Sequence, residues 1–332
     1  MTFYLRRREF VAGLGAASAV PRVARAQRPA MPVVGFIDAS SAQVSADAIA
    51  TFRKGLEEGG IVQGRNVAFE FRHADNKIER LPELAADLVR RRVAVFAAFN
   101  LTAALAARAA DPTIPMVFHT GGDPVQTGLV ASLDRPGGNI TAVNSMNNGL
   151  LAKRLGLLHE MVPRAKRFAV LVSRFAARDP GPVDELLAGA SVLGLQVDVF
   201  TVSNGHDIDL AFASLDQKPV DALIFNSGPL FRDRRVQIVT LAAHHRLPAS
   251  YAYHADAAAG GLMSCGALPD AADSVIRVMG NYVGRILKGE NAGDLPVQRT
   301  TKFEFVINLQ TARTLGLDVP PLLLALATEV IE

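Results

Sequence analysis

The sequence contains no tryptophan and a single cysteine, Cys265. A lone cysteine cannot form an intramolecular disulfide, so the free energy of folding must come from the burial of apolar side chains. Cys265 lies in an apolar segment, which is typical of a small buried hydrophobe rather than of a nucleophile. The absence of tryptophan also argues against a sugar site built on stacked indole rings.

Motifs for nucleotides, nucleophiles and metals are missing as well. The loop after the first apolar segment reads Asp38-Ala39-Ser40-Ser41, where a dinucleotide site needs G-x-G-x-x-G. Neither G-x-x-x-x-G-K-[ST] nor G-x-S-x-G occurs, and the seven histidines are scattered. The neighbours His244 and His245 point to different sides of a helix and cannot both ligate one metal ion. We therefore expect no cofactor, no metal ion and no catalytic residues.

The net positive charge of the chain comes from its first 26 residues. Lysines and arginines number 35 against 32 aspartates and glutamates, a net charge of +3. Residues 1–26 hold five arginines and one glutamate and contribute +4, which leaves the remainder close to −1. No later block of basic residues is interleaved with aromatic ones, so a nucleic-acid partner is not expected.

The chain opens with MTFYLRRREFVAGLGAASAVPRVARA, in which arginines precede a short apolar run. Residues 10–20 are too few to cross about 30 Å of hydrocarbon, and Ala24-Arg25-Ala26 is a triplet of the kind that signal peptidase cuts. The pair Arg7-Arg8 resembles the twin-arginine export pattern. An amphipathic helix is the alternative, but no polar face interrupts the run. Residues 1–26 are thus predicted to be a twin-arginine-type signal peptide, cleaved near Ala26, and the mature protein is expected in the periplasm.

Apolar runs alternate with segments of helical period along the remaining chain. PVVGFID, VAVFAAF and RFAVLVS are typical of buried strands, whereas ADAIATFRKGLEEGG and RLPELAADLVRRR are typical of helices. This rhythm predicts an α/β fold with parallel sheets covered by helices. It restarts after NSMNNG at residues 144–149, so two open lobes of similar size are expected to join there. FEFVINL, residues 303–309, is expected to be the final strand, followed by a last helix from near Gln310.

Uncharged polar residues and a few charged ones follow the predicted strands of both lobes. Ligands of open α/β sheets bind at the carboxyl ends of the strands, so these positions predict a cleft between two facing sheets. Each such residue could instead cap the next helix. The predicted ligand-binding residues are Ser40, Ser41, Asn100, Thr102, Thr120 and Asp123 in the first lobe, and Ser173, Arg174, Asn226, Tyr251 and Tyr253 in the second.

Two long stretches carry a family resemblance. GGDPVQTGLVASLDRPGGNITAVN, and DLPVQ followed by KFEFVINL and LGL, resemble the substrate-binding proteins of bacterial ABC transporters related to aromatic amino-acid (tryptophan-type) uptake proteins. The resemblance covers essentially the whole mature chain. The sequence departs from these relatives at Asn100-Leu101-Thr102, at residues 174–182 and at residues 251–254, which are all strand-exit positions.

The resemblance implies a periplasmic binding protein type I-like fold, with two Rossmann-like lobes and a hinge of three crossovers. Its first lobe would comprise residues 30–147 and 262–295, and its second lobe residues 148–261 and 296–332. The helix at residues 267–288 would then pack on the first lobe.

A solute receptor with this fold would capture a small molecule between its lobes and deliver it to an ABC permease and its ATPase. An amino acid or other small carboxylate is expected, with Asp123 answering an ammonium group and Arg174 a second anion. The receptor is expected to be a monomer that does not insert into the membrane. A ligand-sensing domain for a membrane signalling protein, or an exported enzyme on the same fold, are the alternatives.

Overall fold

Thirteen strands in two sheets form the framework of the described part of the chain in this computed structural model, which covers residues 31–174, 176, 181–267, 274–300 and 302–332. The predicted signal peptide lies outside the described residues. Residues Pro32–Glu332 form one unit. Strands and helices are numbered along the chain.

The first sheet has six strands, and all of its pairings are parallel. The strands are β1 (Val33–Asp38), β2 (Ala68–His73), β3 (Val95–Ala98), β4 (Met116–Thr120), β5 (Ile140–Asn144) and β11 (Gln298–Arg299). They lie in the order β2, β1, β3, β4, β5, β11. Helices α1 (Ala42–Glu58) and α10 (Val275–Leu287) cover one face, and α2 (Leu81–Arg90) and α3 (Leu101–Ala110) cover the other. This sheet and its four helices are called the first lobe.

The second sheet has seven strands in the order β7, β6, β8, β9, β10, β12, β13. They are β6 (Arg167–Ser173), β7 (Gln196–Val202), β8 (Ala222–Phe225), β9 (Ala249–Tyr251), β10 (Met263–Ala267), β12 (Phe303–Asn308) and β13 (Glu329–Ile331). Only β10 and β12 pair antiparallel.

The helices of this second lobe are α4 (Leu151–Met161), α5 (Gly181–Val192), α6 (Gly205–Leu215), α7 (Pro229–Asp233), α8 (Arg235–His244), α9 (His254–Ala258), α11 (Leu309–Thr314) and α12 (Pro321–Leu326). The central strands of both sheets are buried on both faces, which is why their sequences read as continuous apolar runs. The predicted α/β class is thereby confirmed.

The chain crosses between the sheets three times: after β5, between β10 and α10, and between β11 and β12. The predicted lobe boundaries are wrong at two of these crossings. Residues 263–267 pair with β9 and β12 in the second sheet, and residues 298–299 pair with β5 in the first. Short strands of this kind suit either sheet, so the sequence alone does not assign them. The expectation that FEFVINL is the last strand is also wrong, because β13 follows it.

Helices α1 and α10 approach each other closely at two glycines. A Cβ atom on Gly55 would lie 1.9 Å from the carbonyl oxygen of Arg277, and one on Gly280 would lie 2.0 Å from that of Phe52. The missing side chains let the two backbones meet, which anchors α10 on the first lobe as the resemblance implied.

Cys265 lies on β10 in the apolar core of the second lobe, where burial raises the pKa of its thiol. This placement fits the expected role of a small hydrophobe. No helix in the described part of the chain is both long enough and apolar enough to cross a bilayer.

Candidate functional site

A cavity of about 140 Å³ lies where the carboxyl ends of the two sheets face each other. Residues after β3 and β4 line it from the first lobe, and residues after β6 and β8 line it from the second. The first crossover, through Ser145, Asn147 and Asn148, also contributes to the wall. Parallel strands end at the same edge of a sheet, so this juxtaposition follows from the topology.

Five of the predicted binding residues line this cavity: Asn100, Thr102, Thr120, Ser173 and Tyr253. Asn100 has two roles, because its Oδ1 also caps α3 by accepting the backbone N–H of Ala103 at 2.9 Å. Asn100 therefore caps α3 and lines the cavity at the same time. That these five residues contact a ligand stays a prediction.

The other predicted first-lobe residues lie elsewhere. Ser41 is the N-cap of α1, and its hydroxyl donates to Asp233 Oδ1 at 2.7 Å. Ser40 is fully buried, and its backbone N–H donates to Asp38. Asp123 is exposed and accepts the N–H of Val125 at 2.8 Å within its own turn. Its expected role as partner of a ligand ammonium is not supported by this position.

Three predicted second-lobe residues also lie outside the cavity wall. Arg174 is exposed at the end of β6. Asn226 is buried, and its Oδ1 has no hydrogen-bond partner among the described residues. Tyr251 packs into the core with its ring stacked on Phe225, at 4.9 Å between centroids, and burial raises the pKa of its hydroxyl. Alternation along β9 turns Tyr251 toward the core, so its side chain cannot face the cavity.

Several cavity residues are not among those predicted from the sequence. Ser145, Asn147 and Asn148 belong to NSMNNG, which was interpreted only as a linker. Arg232 lies on the short helix α7, and His119 lies inside β4. The polar residues of NSMNNG lie between two groups of predicted strands, and this position could have indicated a binding site. No local sequence pattern indicates that Arg232 belongs to the site.

His119 is a neutral group at neutral pH. Burial lowers the pKa of its imidazole to about 4. Its Nδ1 lies 3.3 Å from the carbonyl oxygen of Phe99, so Nδ1 carries the proton and donates it to that oxygen. Nε2 is then left as a hydrogen-bond acceptor.

Arg232 and Tyr253 stand together on the second-lobe side. The guanidinium carbon of Arg232 lies 5.8 Å from the centroid of the Tyr253 ring, within range of a cation–π interaction. The Tyr253 hydroxyl accepts the N–H of Gly228 at 2.9 Å, and burial raises its pKa. Nη2 of Arg232 donates to the carbonyl oxygen of Val44 in the first lobe at 3.1 Å.

Further hydrogen bonds join the lobes around the cavity. The Asp233 carboxylate accepts from Ser41 and from the side-chain amide of Asn76. The Ser227 hydroxyl donates to Asn148 Oδ1 at 2.5 Å at the crossover. These contacts hold the lobes in a closed arrangement over the cavity.

A buried arginine lies beneath the crossovers. Arg154 of α4 is fully buried, and its guanidinium donates to the carbonyl oxygens of Cys265 at 2.8 Å and Asn147 at 3.0 Å. Burial lowers its pKa to about 10, which still leaves it charged at neutral pH. Asn147 Oδ1 in turn accepts the N–H of Ala267 at 2.8 Å, so Arg154 and Asn147 tie the first crossover to β10.

No group of three metal-ligating side chains is gathered anywhere in the described ranges. Around the cavity, the side chains offer hydroxyl, amide, imidazole and guanidinium groups. This set suits recognition of a small polar ligand.

Known proteins share the sequence pattern and the architecture of this chain. The family model described as ABC transporter substrate binding protein matches residues 33–331. A tyrosine-binding protein of Clostridioides difficile is 26% identical over 273 residues, which cover 80% of this chain and 76% of that protein.

Two solved structures have a similar fold. A conserved domain protein of Vibrio cholerae superposes with a TM-score of 0.82 at 23% identity. The ABC domain of Streptococcus pneumoniae in complex with L-Trp superposes with a TM-score of 0.81 at 24% identity. Each match covers 90% of this chain and 99% of the other.

Proposed function

Because the chain belongs to the family of ABC transporter substrate-binding proteins, we propose that it captures an amino acid or another small carboxylate between its lobes and delivers it to an ABC permease with its ATPase. The observation that carries this proposal is a cavity lined from both lobes and closed by hydrogen bonds between them. A ligand that bridges two lobes binds the closed state better than the open one, so it shifts the population toward closure. A permease can then distinguish the loaded receptor from the empty one.

Two observations support the ligand class. The cavity combines the guanidinium of Arg232 with apolar side chains that include Ile78, Leu101 and Leu230. A relative is described as tyrosine-binding, and the streptococcal structure contains L-Trp. Both ligands of these proteins carry a carboxylate and an apolar ring.

The proposal extends to cellular location and to mode of action. Residues 1–26 would direct export by the twin-arginine route, and cleavage near Ala26 would release a periplasmic monomer that does not insert into the membrane. The protein would bind without catalytic turnover, and without a metal ion or cofactor.

A thermal-shift screen of the mature protein against amino acids, aromatic acids, aliphatic acids, purines and sugars tests the proposed function. A ligand present at 100 times its dissociation constant should stabilise the protein by about 2.7 kcal/mol. Stabilisation by a carboxylate, and loss of uptake of that compound when the gene is deleted, are the expected results. Stabilisation only by purines or sugars would contradict the proposal.

Export is tested separately with a double substitution, Arg7→Lys and Arg8→Lys. Twin-arginine export should stop, because that route requires the arginine pair. Cell fractionation with antibody detection measures the periplasmic share. Continued export through the general secretory channel would remove the twin-arginine part of the proposal and leave the receptor function standing.

A further inference from the structure

Arg232 is the one charged side chain among the described residues that line the cavity. One of its N–H groups donates to the Val44 carbonyl oxygen, and its guanidinium carbon lies 5.8 Å from the centroid of the Tyr253 ring. No described carboxylate forms an ion pair with it. A guanidinium has five N–H donors, so Arg232 has donors left over for an anion in the cavity.

The nearby carboxylates of the described residues have other partners. Asp38 accepts from Asn100 Nδ2 at 2.5 Å, and also from Ser45. Asp233 is engaged by Ser41 and Asn76 in the contact between the lobes.

Asp256 is 2% exposed, and its Oδ1 lies 3.0 Å from Nε of Arg235. Neither Asp256 nor the other two carboxylates is part of the cavity wall. Among the described residues that line the cavity, a ligand ammonium would therefore meet hydroxyl, amide and carbonyl oxygens and the Nε2 of His119, but no carboxylate.

Two guanidinium groups lie close to the cavity. Arg154 is buried next to the cavity residues Asn147 and Tyr253, and the charges of Arg154 and Arg232 act on the Tyr253 hydroxyl against that of Asp256. His119 contributes no charge at neutral pH. Asp38 and Asp256 do not line the cavity, and each is engaged by another side chain, so a ligand ammonium would be desolvated without a direct counter-charge, whereas a carboxylate would meet Arg232.

The apolar side chains of the cavity wall select the part of the ligand that lies beyond its carboxylate. Tyr253 and His119 provide aromatic rings, and Ile78 and Leu230 provide aliphatic surface. Aromatic rings pack well against other rings and against flat apolar groups.

From these contacts we infer that Arg232 binds the carboxylate of the ligand, and that the cavity selects aromatic carboxylates without an ammonium group over the corresponding amino acids. This inference rests on the proposed function and narrows its ligand class. Arg232 belongs to the second lobe and donates a hydrogen bond to the Val44 carbonyl oxygen in the first lobe. Binding of the ligand carboxylate by Arg232 is therefore coupled to closure of the lobes.

Matched pairs of compounds test the selectivity on the unaltered mature protein. Phloretate is tyrosine without its ammonium group, and hydrocinnamate is phenylalanine without it. Calorimetry should show each deaminated acid binding about tenfold or more tightly than its amino acid, a difference of about 1.4 kcal/mol. Tyramine, which keeps the ammonium but lacks the carboxylate, should not bind. Equal or tighter binding of the amino acids would overturn the inference and leave the proposed function intact.

A charge test separates ligand binding by Arg232 from its contact between the lobes. The native protein should prefer hydrocinnamate to its uncharged amide by about a hundredfold, and Arg232→Gln should abolish this preference. If Arg232 had only a structural role, its substitution would weaken the binding of both compounds equally and keep the ratio of their dissociation constants. That result would overturn the assignment. Arg234→Gln, an exposed arginine two residues away, is the matched control and should leave the ratio unchanged.

The wider screen separates failure of this inference from failure of the proposed function. If only aliphatic acids bind, the selectivity is wrong and the receptor function stands. If no carboxylate of any kind binds, the proposed function is wrong and the inference falls with it.

Discussion

The two lobes share one α/β rhythm but place their charges differently. The first lobe presents Asn100, Thr102, His119 and Thr120 to the cavity, all of them neutral at neutral pH, whereas the second presents Arg232. The second lobe also buries ionisable groups in its interior. One lobe thus provides neutral hydrogen-bonding groups, while the other determines the charge that the ligand must carry.

The ion pairs of the lobes show the same contrast. In the first lobe, Arg72, Arg91, Asp87 and Glu70 form a network at the surface, where Arg72 and Arg91 hold the pKa of Asp87 down to about 2. Solvent screens such pairs, so they add little to stability. In the second lobe, Arg154 is fully buried, and each of its hydrogen bonds acts in a poorly solvated interior.

The largest expected effect comes from the helical glycines of the two lobes. Gly55→Ala should lower the free energy of unfolding by about 3 kcal/mol, because the new Cβ would meet the Arg277 carbonyl and force α1 away from α10. Gly156→Ala in α4 has no atom within 4 Å of its Cβ and should instead raise stability by about 0.5–1 kcal/mol. Urea denaturation of both variants measures the difference. The same sign for both would show that α1 and α10 do not depend on close backbone approach.

A smaller effect is expected from the buried arginine. Arg154→Met should cost about 2 kcal/mol, because it leaves the buried carbonyl oxygen of Cys265 without its guanidinium donor and that of Asn147 with only the 3.4 Å bond from the Leu150 N–H. The control is Arg91→Met in the surface network of the first lobe, whose melting temperature should change much less. Differential scanning calorimetry compares the two. A larger loss for the Arg91 variant would reverse the contrast between the lobes.

The smallest effect concerns pH. The folded-state pKa of His119 lies near 4, below its usual value of 6.5, so the unfolded chain binds more protons between these values. The native protein should therefore lose stability as the pH falls from 7 to 5. The contribution is about 1 kcal/mol rather than the ~2 of a fully buried ring, because the edge facing the cavity is partly exposed.

His119→Gln should remove this part of the pH dependence. Urea denaturation at both pH values gives the difference between native and variant. Asp256 acts in the opposite direction, because burial raises its pKa to about 6 and acid then favours the folded state. An unchanged pH profile in the His119→Gln variant would mean that the imidazole is solvated in the first lobe after all.

Several features were predictable because they depend on neighbouring residues. The period of apolar residues predicted strands and helices, and Asn100 was recognised both as a possible cap and as a cavity residue. The sheet that each crossover strand joins was not predictable. Residues 263–267 and 298–299 each pair with strands that are distant in sequence, and only these pairings assign them to a sheet.

The α/β class, the two-lobed organisation and the family could all be recognised in the amino-acid sequence, because periodicity and motif are properties of contiguous residues. Which polar residues face the cavity depends on how the two lobes pack. Tyr251 and Tyr253 are two residues apart, yet one packs on Phe225 in the core and the other lines the cavity, since β9 ends between them. Arg232 lies in the cavity wall, and its side chain meets the first lobe at the Val44 carbonyl oxygen. Such contacts depend on how distant segments pack, which no local pattern records.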